Sequence, residues 1–136
     1  ARAQLSTESR PLGVGRRVDL GPVVPTHGDF HEGQLTVVRA GDGWRPSGLL
    51  DVDTVGPGHR VDDVACLVAH AIALGPAGHA TATRWEQQAR GVVDVSALAV
   101  RTAGVLLSLA AGAVHEPTVA MGTEALLDAA ETRLQA

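Results

Sequence analysis

The chain of 136 residues has no lysine and no tyrosine, and only one cysteine, one methionine, one phenylalanine and two tryptophans. Each shortage excludes something. With aromatics at 2%, the core has to be aliphatic, built on Leu, Val and Ala. A single thiol, Cys66, rules out an intramolecular disulfide and fits a reducing compartment, so a cytoplasmic setting is expected. All 11 basic residues are Arg and the formal net charge is -4, so a nucleic-acid surface is not indicated. The most apolar stretch, residues 95–113, is interrupted by Arg101 and reads as a buried core helix, not a bilayer span. No initiator Met and no signal-peptide pattern are present, as expected of a fragment. The length fits one domain with a real core.

What is present concentrates in residues 27–63. A polar loop, His27-Gly28-Asp29-Phe30-His31-Glu32-Gly33-Gln34, precedes a short apolar run over residues 35–38. A Gly/Pro-rich turn over residues 40–47 follows, and a second apolar run, 48–50, delivers Asp51 and Asp53. Such runs, bounded by Gly, Asp and Pro, predict two strands of a hairpin. The hairpin brings Asp29, Gln34 and Asp51 to one end of a small sheet. Two carboxylates and an amide oxygen there suit a hard cation and a proton acceptor. Kinase-type phosphoryl transfer uses this spacing: an Asp beside the attacking hydroxyl, a metal-binding amide five positions later, and an acidic residue in the next loop.

His-Gly-Asp-Phe-His-Glu-Gly-Gln, with Leu-Leu-Asp-Val-Asp-Thr-Val-Gly-Pro-Gly-His-Arg-Val-Asp-Asp-Val-Ala after it, resembles the catalytic core of the aminoglycoside phosphotransferase and choline kinase-like family. The resemblance covers residues 24–68 well and implies the fold and roles that follow. The fold would be α+β and mainly helical: a kinase-like C-lobe with a small β-hairpin carrying the catalytic loop and several packed helices. Asp29 matches the catalytic base, and Gln34 and Asp51 match the ligands of Mg2+. Asp63 matches the Asp that opens the next helix and, with His27 and His31, supports the site. ATP or another nucleoside triphosphate would be the donor, and a small-molecule hydroxyl of aminoglycoside, sugar or amino-alcohol type the acceptor. Two departures stand out. Gln34 replaces the usual Asn, one methylene longer, and no lysine exists to pair with nucleotide phosphates. Only 26 residues precede His27, so residues 1–136 are expected to be the C-terminal lobe, partnered by an N-terminal nucleotide-clamping lobe outside the chain.

Along the rest of the chain, Pro11, Pro22 and Pro25 break up residues 1–26, within which 1–10 could end a helix and Gly13 to Gly15 form a surface turn. Val23 and Val24 predict a short strand feeding the loop. Residues 54–60 read as a loop. Asp62 or Asp63 would cap a helix over 64–74, with Val64, Leu67, Val68, Ala71 and Ile72 on one face. Cys66 reads as a small packed hydrophobe, and His70 as a core or surface residue. Glu32 is expected in solvent, Trp44 as a cover over the hairpin turn, and Asp53 in a structural hydrogen bond. Further helices are expected over 81–90, docked by Trp85, over 95–113, and over 119–134. In the last, Leu126, Leu127, Ala130 and Leu134 would face inward while Glu124, Asp128 and Arg133 stay in solvent.

Two other function classes compete. His27-Gly28-Asp29-Phe30-His31 is also H-x-D-x-H, a metallohydrolase pattern that would use His27, Asp29 and His31 as ligands. A non-catalytic remnant of the same fold is the third.

Overall fold

The computed structural model describes residues 18–113 and 121–135. The expectations for residues 1–17 and for Val119 lie outside the described residues. In order come β1 (Val23–Thr26), a 3-10 turn (Glu32–Gln34), β2 (Leu35–Ala40), β3 (Gly43–Leu49), a second 3-10 turn (Val52–Thr54) and β4 (Gly56–His59). Four helices follow: α1 (Arg60–Ala73), α2 (Pro76–Ala89), α3 (Val95–Ala113) and α4 (Thr123–Gln135). The class is α+β and mainly helical, with two antiparallel two-stranded sheets among the described residues, β1–β4 and β2–β3.

The hairpin is longer than its sequence implies. Gly41, at φ 60°, and Asp42 make the whole turn, and the Gly/Pro-rich segment expected to form the turn is strand β3. Pro46 faces Val37 beside an irregularity in register, where the strand needs no proline N–H. Trp44 stands in β3 and not in the turn, 65% exposed, with the guanidinium of its cross-strand partner Arg39 over the ring at 5.4 Å. The expected loop at 54–60 is also corrected: Gly56 to His59 pair with β1, with Pro25 opposite Pro57. Gly-Pro-Gly punctuation is a local signal. The partner strand lies thirty residues upstream, where no local signal reaches.

Helix α1 starts earlier than expected. His59 is its N-cap, and Asp62 sits in the first turn and accepts the His59 N–H at 3.3 Å, so neither Asp62 nor Asp63 is the cap. Gly75 and Pro76, which stop α1, also start α2, with Pro in the first turn where its missing N–H costs nothing. Helix α2 therefore begins five residues before the expected Thr81. Gly78 is buried against the backbone carbonyl of Ala71, where a side chain has no room, so α1 and α2 approach closely.

The core is aliphatic. Val68, Ala69 and Ile72 of α1 meet Ala103, Leu106 and Ala110 of α3 and Leu126 and Ala130 of α4, with Trp85 half-buried against the cluster. Val61, Ala65, Ala89, Ala97 and Leu98 form a second cluster at the other end of α1. Helix α3 has the length and hydropathy of a membrane span, yet it packs against both α1 and α4 and carries their shared core. On α4 the buried stripe is Leu126 and Ala130, one turn apart; Leu127 and Leu134 point to solvent, against expectation. Arg133, expected in solvent, pairs with Glu86 of α2 at 3.2 Å.

Candidate functional site

The site begins where β1 ends. His27 is 4% exposed, and its Nε2 lies 2.8 Å from the Leu50 carbonyl while Nδ1 accepts the Asp29 N–H at 3.3 Å. Because Nδ1 accepts, Nε2 carries the proton and donates. Both ring nitrogens are thus engaged, so the metallohydrolase set of His27, Asp29 and His31 does not assemble. Gly28, at φ 88°, would place a Cβ 3.3 Å from the Thr54 carbonyl oxygen, so glycine is required both by conformation and by space.

Three ties hold this loop. Asp63, in the first turn of α1, accepts the His27 N–H at 2.8 Å and the Gly28 N–H at 2.9 Å, one per carboxylate oxygen. Thr54 donates its hydroxyl to the His27 carbonyl at 2.6 Å. The His27 ring reaches Leu50 at the base of the hairpin. Sequence reasoning marked Asp63 and His27 but missed Thr54, because a hydroxyl in a turn carries no local signal of its distant acceptor.

These ties set three side chains in one place. Gln34 closes the 3-10 turn Glu32–Gln34, and its backbone carbonyl accepts the Leu50 N–H at 2.8 Å, which fixes the hairpin base. Its Nε2 lies 3.5 Å from Asp29 Oδ2 and 3.5 Å from Asp51 Oδ2. Asp51 is the one non-glycine with positive φ among the described residues, at φ 50° and ψ 51°. Asp tolerates that left-handed conformation better than most side chains, and strain of this kind collects at functional sites. Asp53, in the turn that follows, is exposed and makes no side-chain hydrogen bond among the described residues, contrary to expectation.

Asp29 also faces a pocket of about 600 Å³ between the loop, α1 and α3. Val105 and Leu109 give it an apolar wall and Ser108 a hydroxyl, and the Asp62–Arg101 ion pair, at 3.1 Å, stands at its side. Cys66 is buried with its Sγ 3.7 Å from Asp29 Oδ1. Burial, then the charge of Asp29 and the bond to it, push the thiol up to about 12. It therefore stays an S–H at neutral pH and is no nucleophile. His70 stacks on His31, centroids 4.2 Å apart and planes within 9°. Burial, and secondarily His31, push His70 below the ordinary imidazole range, so it is neutral at neutral pH. His31 caps the 3-10 turn, its Nδ1 accepting the Gly33 N–H at 3.2 Å, and its Nε2 stands 3.9 Å from Asp29.

Gln34 and Asp51 fit a hard, hydrated divalent cation, with Asp29 beside them left free as a proton acceptor. Their donors are carboxylate and amide oxygens, and Mg2+ keeps several waters, which the exposure of Asp51 permits. The Gln34 amide lies between the two carboxylates; turned about its last bond, it presents Oε1 in place of Nε2.

A family model described as "Phosphotransferase enzyme family" matches residues 8–95, more than half of the chain and every residue of the cluster. No curated protein and no solved structure matches the chain.

Proposed function

From the premise that the chain belongs to the phosphotransferase enzyme family, we propose that it is the kinase-like catalytic lobe of an ATP-dependent small-molecule phosphotransferase. The observation that carries this is the meeting of Gln34 and Asp51 with Asp29, which also lines the pocket between the loop, α1 and α3. Residues 1–136 supply the base, the metal ligands and the acceptor pocket, and a lobe that clamps the nucleotide supplies the phosphate-binding lysine, a residue type absent from these 136.

The acceptor hydroxyl enters the pocket and lies against Asp29. As its oxygen bonds to the γ-phosphorus and the bond to the β-phosphate oxygen breaks, Asp29 takes the hydroxyl proton. Asp51 and Gln34 would hold Mg2+, which would supply neutralisation of charge on the phosphates. Asp63, Thr54 and His27 do no chemistry; they keep Asp29 at a fixed distance from the other two side chains. The gain in rate comes from positioning and charge neutralisation.

The pocket narrows the acceptor. Its carboxylates are Asp29 and Asp62, the latter already paired with Arg101. A compact sugar or amino alcohol suits this balance better than a polycation.

The test is transfer from Mg-ATP to a panel of amino sugars, sugars and amino alcohols, with the chain joined to its nucleotide-clamping lobe. Gln34→Asn, which keeps an amide oxygen, should retain transfer. Gln34→Leu should raise the Mg2+ concentration needed for half-maximal rate by roughly tenfold or more. Equal behaviour of the two variants would remove Gln34 from the metal site, and no transfer to any acceptor would sink the reading.

A further inference from the structure

We infer that Asp29, Cys66 and His70 form a second cation site, selective for a borderline-soft divalent ion of the zinc type, whose occupation takes Asp29 out of catalysis. Binding itself stands apart from the transferase reading; its inhibitory consequence rests on that reading.

Cys66 and His70 are one turn apart on α1, so both side chains leave the same face of the helix. The loop lays Asp29 over that face. A carboxylate oxygen, the Cys66 sulfur and a His70 ring nitrogen all lie within 4.8 Å of one another. Small rotamer adjustments bring such a trio to the bond lengths of tetrahedral zinc, about 2.0 Å to nitrogen and oxygen and about 2.3 Å to sulfur. All three residues line the same pocket, which leaves the fourth position open to water.

The chemistry of the donors selects the ion. One sulfur, one imidazole nitrogen and one carboxylate oxygen match zinc, whereas magnesium demands oxygen alone. His31 does not complete the shell. Its ring is parallel to that of His70, and imidazole lone pairs lie in the ring plane, so the two cannot aim at one ion. On binding, the Cys66 S–H bond breaks, its electron pair goes to the ion and its proton to solvent. Asp29, now a ligand, has its charge neutralised by the ion and is a much weaker acceptor for the hydroxyl proton.

The experiment titrates residues 1–136, freed of metal by a chelator, with Co2+ followed by absorbance, and then with Zn2+ in millimolar Mg2+. The expected result is a sulfur-to-cobalt charge-transfer band at one equivalent, lost when Zn2+ is added and untouched by Mg2+. Cys66→Ser should abolish the band, and His70→Gln should shift it and weaken Zn2+ retention. Absence of the band in the unsubstituted chain overturns the proposal, whether or not the variants fold, as does its persistence in Cys66→Ser. In the chain joined to its nucleotide lobe, Zn2+ should suppress transfer and Cys66→Ser should relieve that suppression. A band without suppression overturns the inhibitory part alone.

Discussion

Replacing Asp29 by Asn should lower kcat for phosphoryl transfer by roughly two to four orders of magnitude, the range for removing a positioned general base. The KM for the acceptor should change little, because Asn keeps the size of the side chain and its reach toward Gln34 and Cys66. The clamp on the loop uses backbone groups of His27 and Gly28 and the ring of His27, none of which belongs to the substituted side chain. The fold should therefore persist, checked by an unchanged unfolding midpoint. A second readout comes from Cys66. The charge of Asp29 and the hydrogen bond to it are causes of the raised thiol pKa, next after burial. Asp29→Asn removes the charge, so alkylation of Cys66 at mildly alkaline pH should speed up. A variant with full kcat would show that the acceptor proton goes elsewhere.

The second large effect belongs to a residue that never meets substrate. Asp63→Ala leaves two backbone N–H groups, of His27 and Gly28, without their acceptor. Hydrogen bonds to a charged acceptor contribute about 1.5–3 kcal/mol each. Asp63 is half-buried and water can reach part of the site and replace it as acceptor, so the net loss should fall below the simple sum for the pair, to about 2 kcal/mol in a denaturant titration. Transfer should fall further than stability alone explains, because the loop carrying Asp29 loses its anchor to α1. Asp63→Asn should recover part of both, since its amide oxygen still accepts one N–H while its NH2 faces the other. If Asp63→Ala matched the unsubstituted chain in stability and rate, the loop would be held by Thr54 and His27 alone.

The meeting of Asp29, Gln34 and Asp51 was readable from the sequence for a physical reason. A turn of fixed length separates Asp29 from Gln34, and a hairpin necessarily returns the chain to its own base. The hairpin's length was not readable, because Gly43, Pro46 and Gly48 announce a turn while their cross-strand partners hold them extended. The same conflict hid β4, whose Gly-Pro-Gly segment is ordered by β1. The helices announced themselves by apolar spacing, but on α4 spacing alone could not tell Leu126 from Leu127. That choice depends on which side α3 occupies. Cys66 and His70 show a one-turn spacing in the sequence, yet nothing there reveals that Asp29 lies over them. That contact joins residues 37 positions apart.

Paramagnetic broadening by Mn2+, an oxygen-seeking stand-in for magnesium, tests the metal cluster most directly, because amide resonances report position as well as affinity. Substoichiometric Mn2+ with ATP should first erase the resonances around Asp29, Gln34 and Asp51, and excess Mg2+ should restore them. Asp51→Asn keeps the left-handed backbone accessible, so its spectrum should otherwise overlay that of the unsubstituted chain while the localised broadening disappears. Broadening centred on other surface carboxylates, such as Asp128 and Glu131, or unchanged in Asp51→Asn, would contradict a phosphotransferase metal site built from Gln34 and Asp51 beside Asp29.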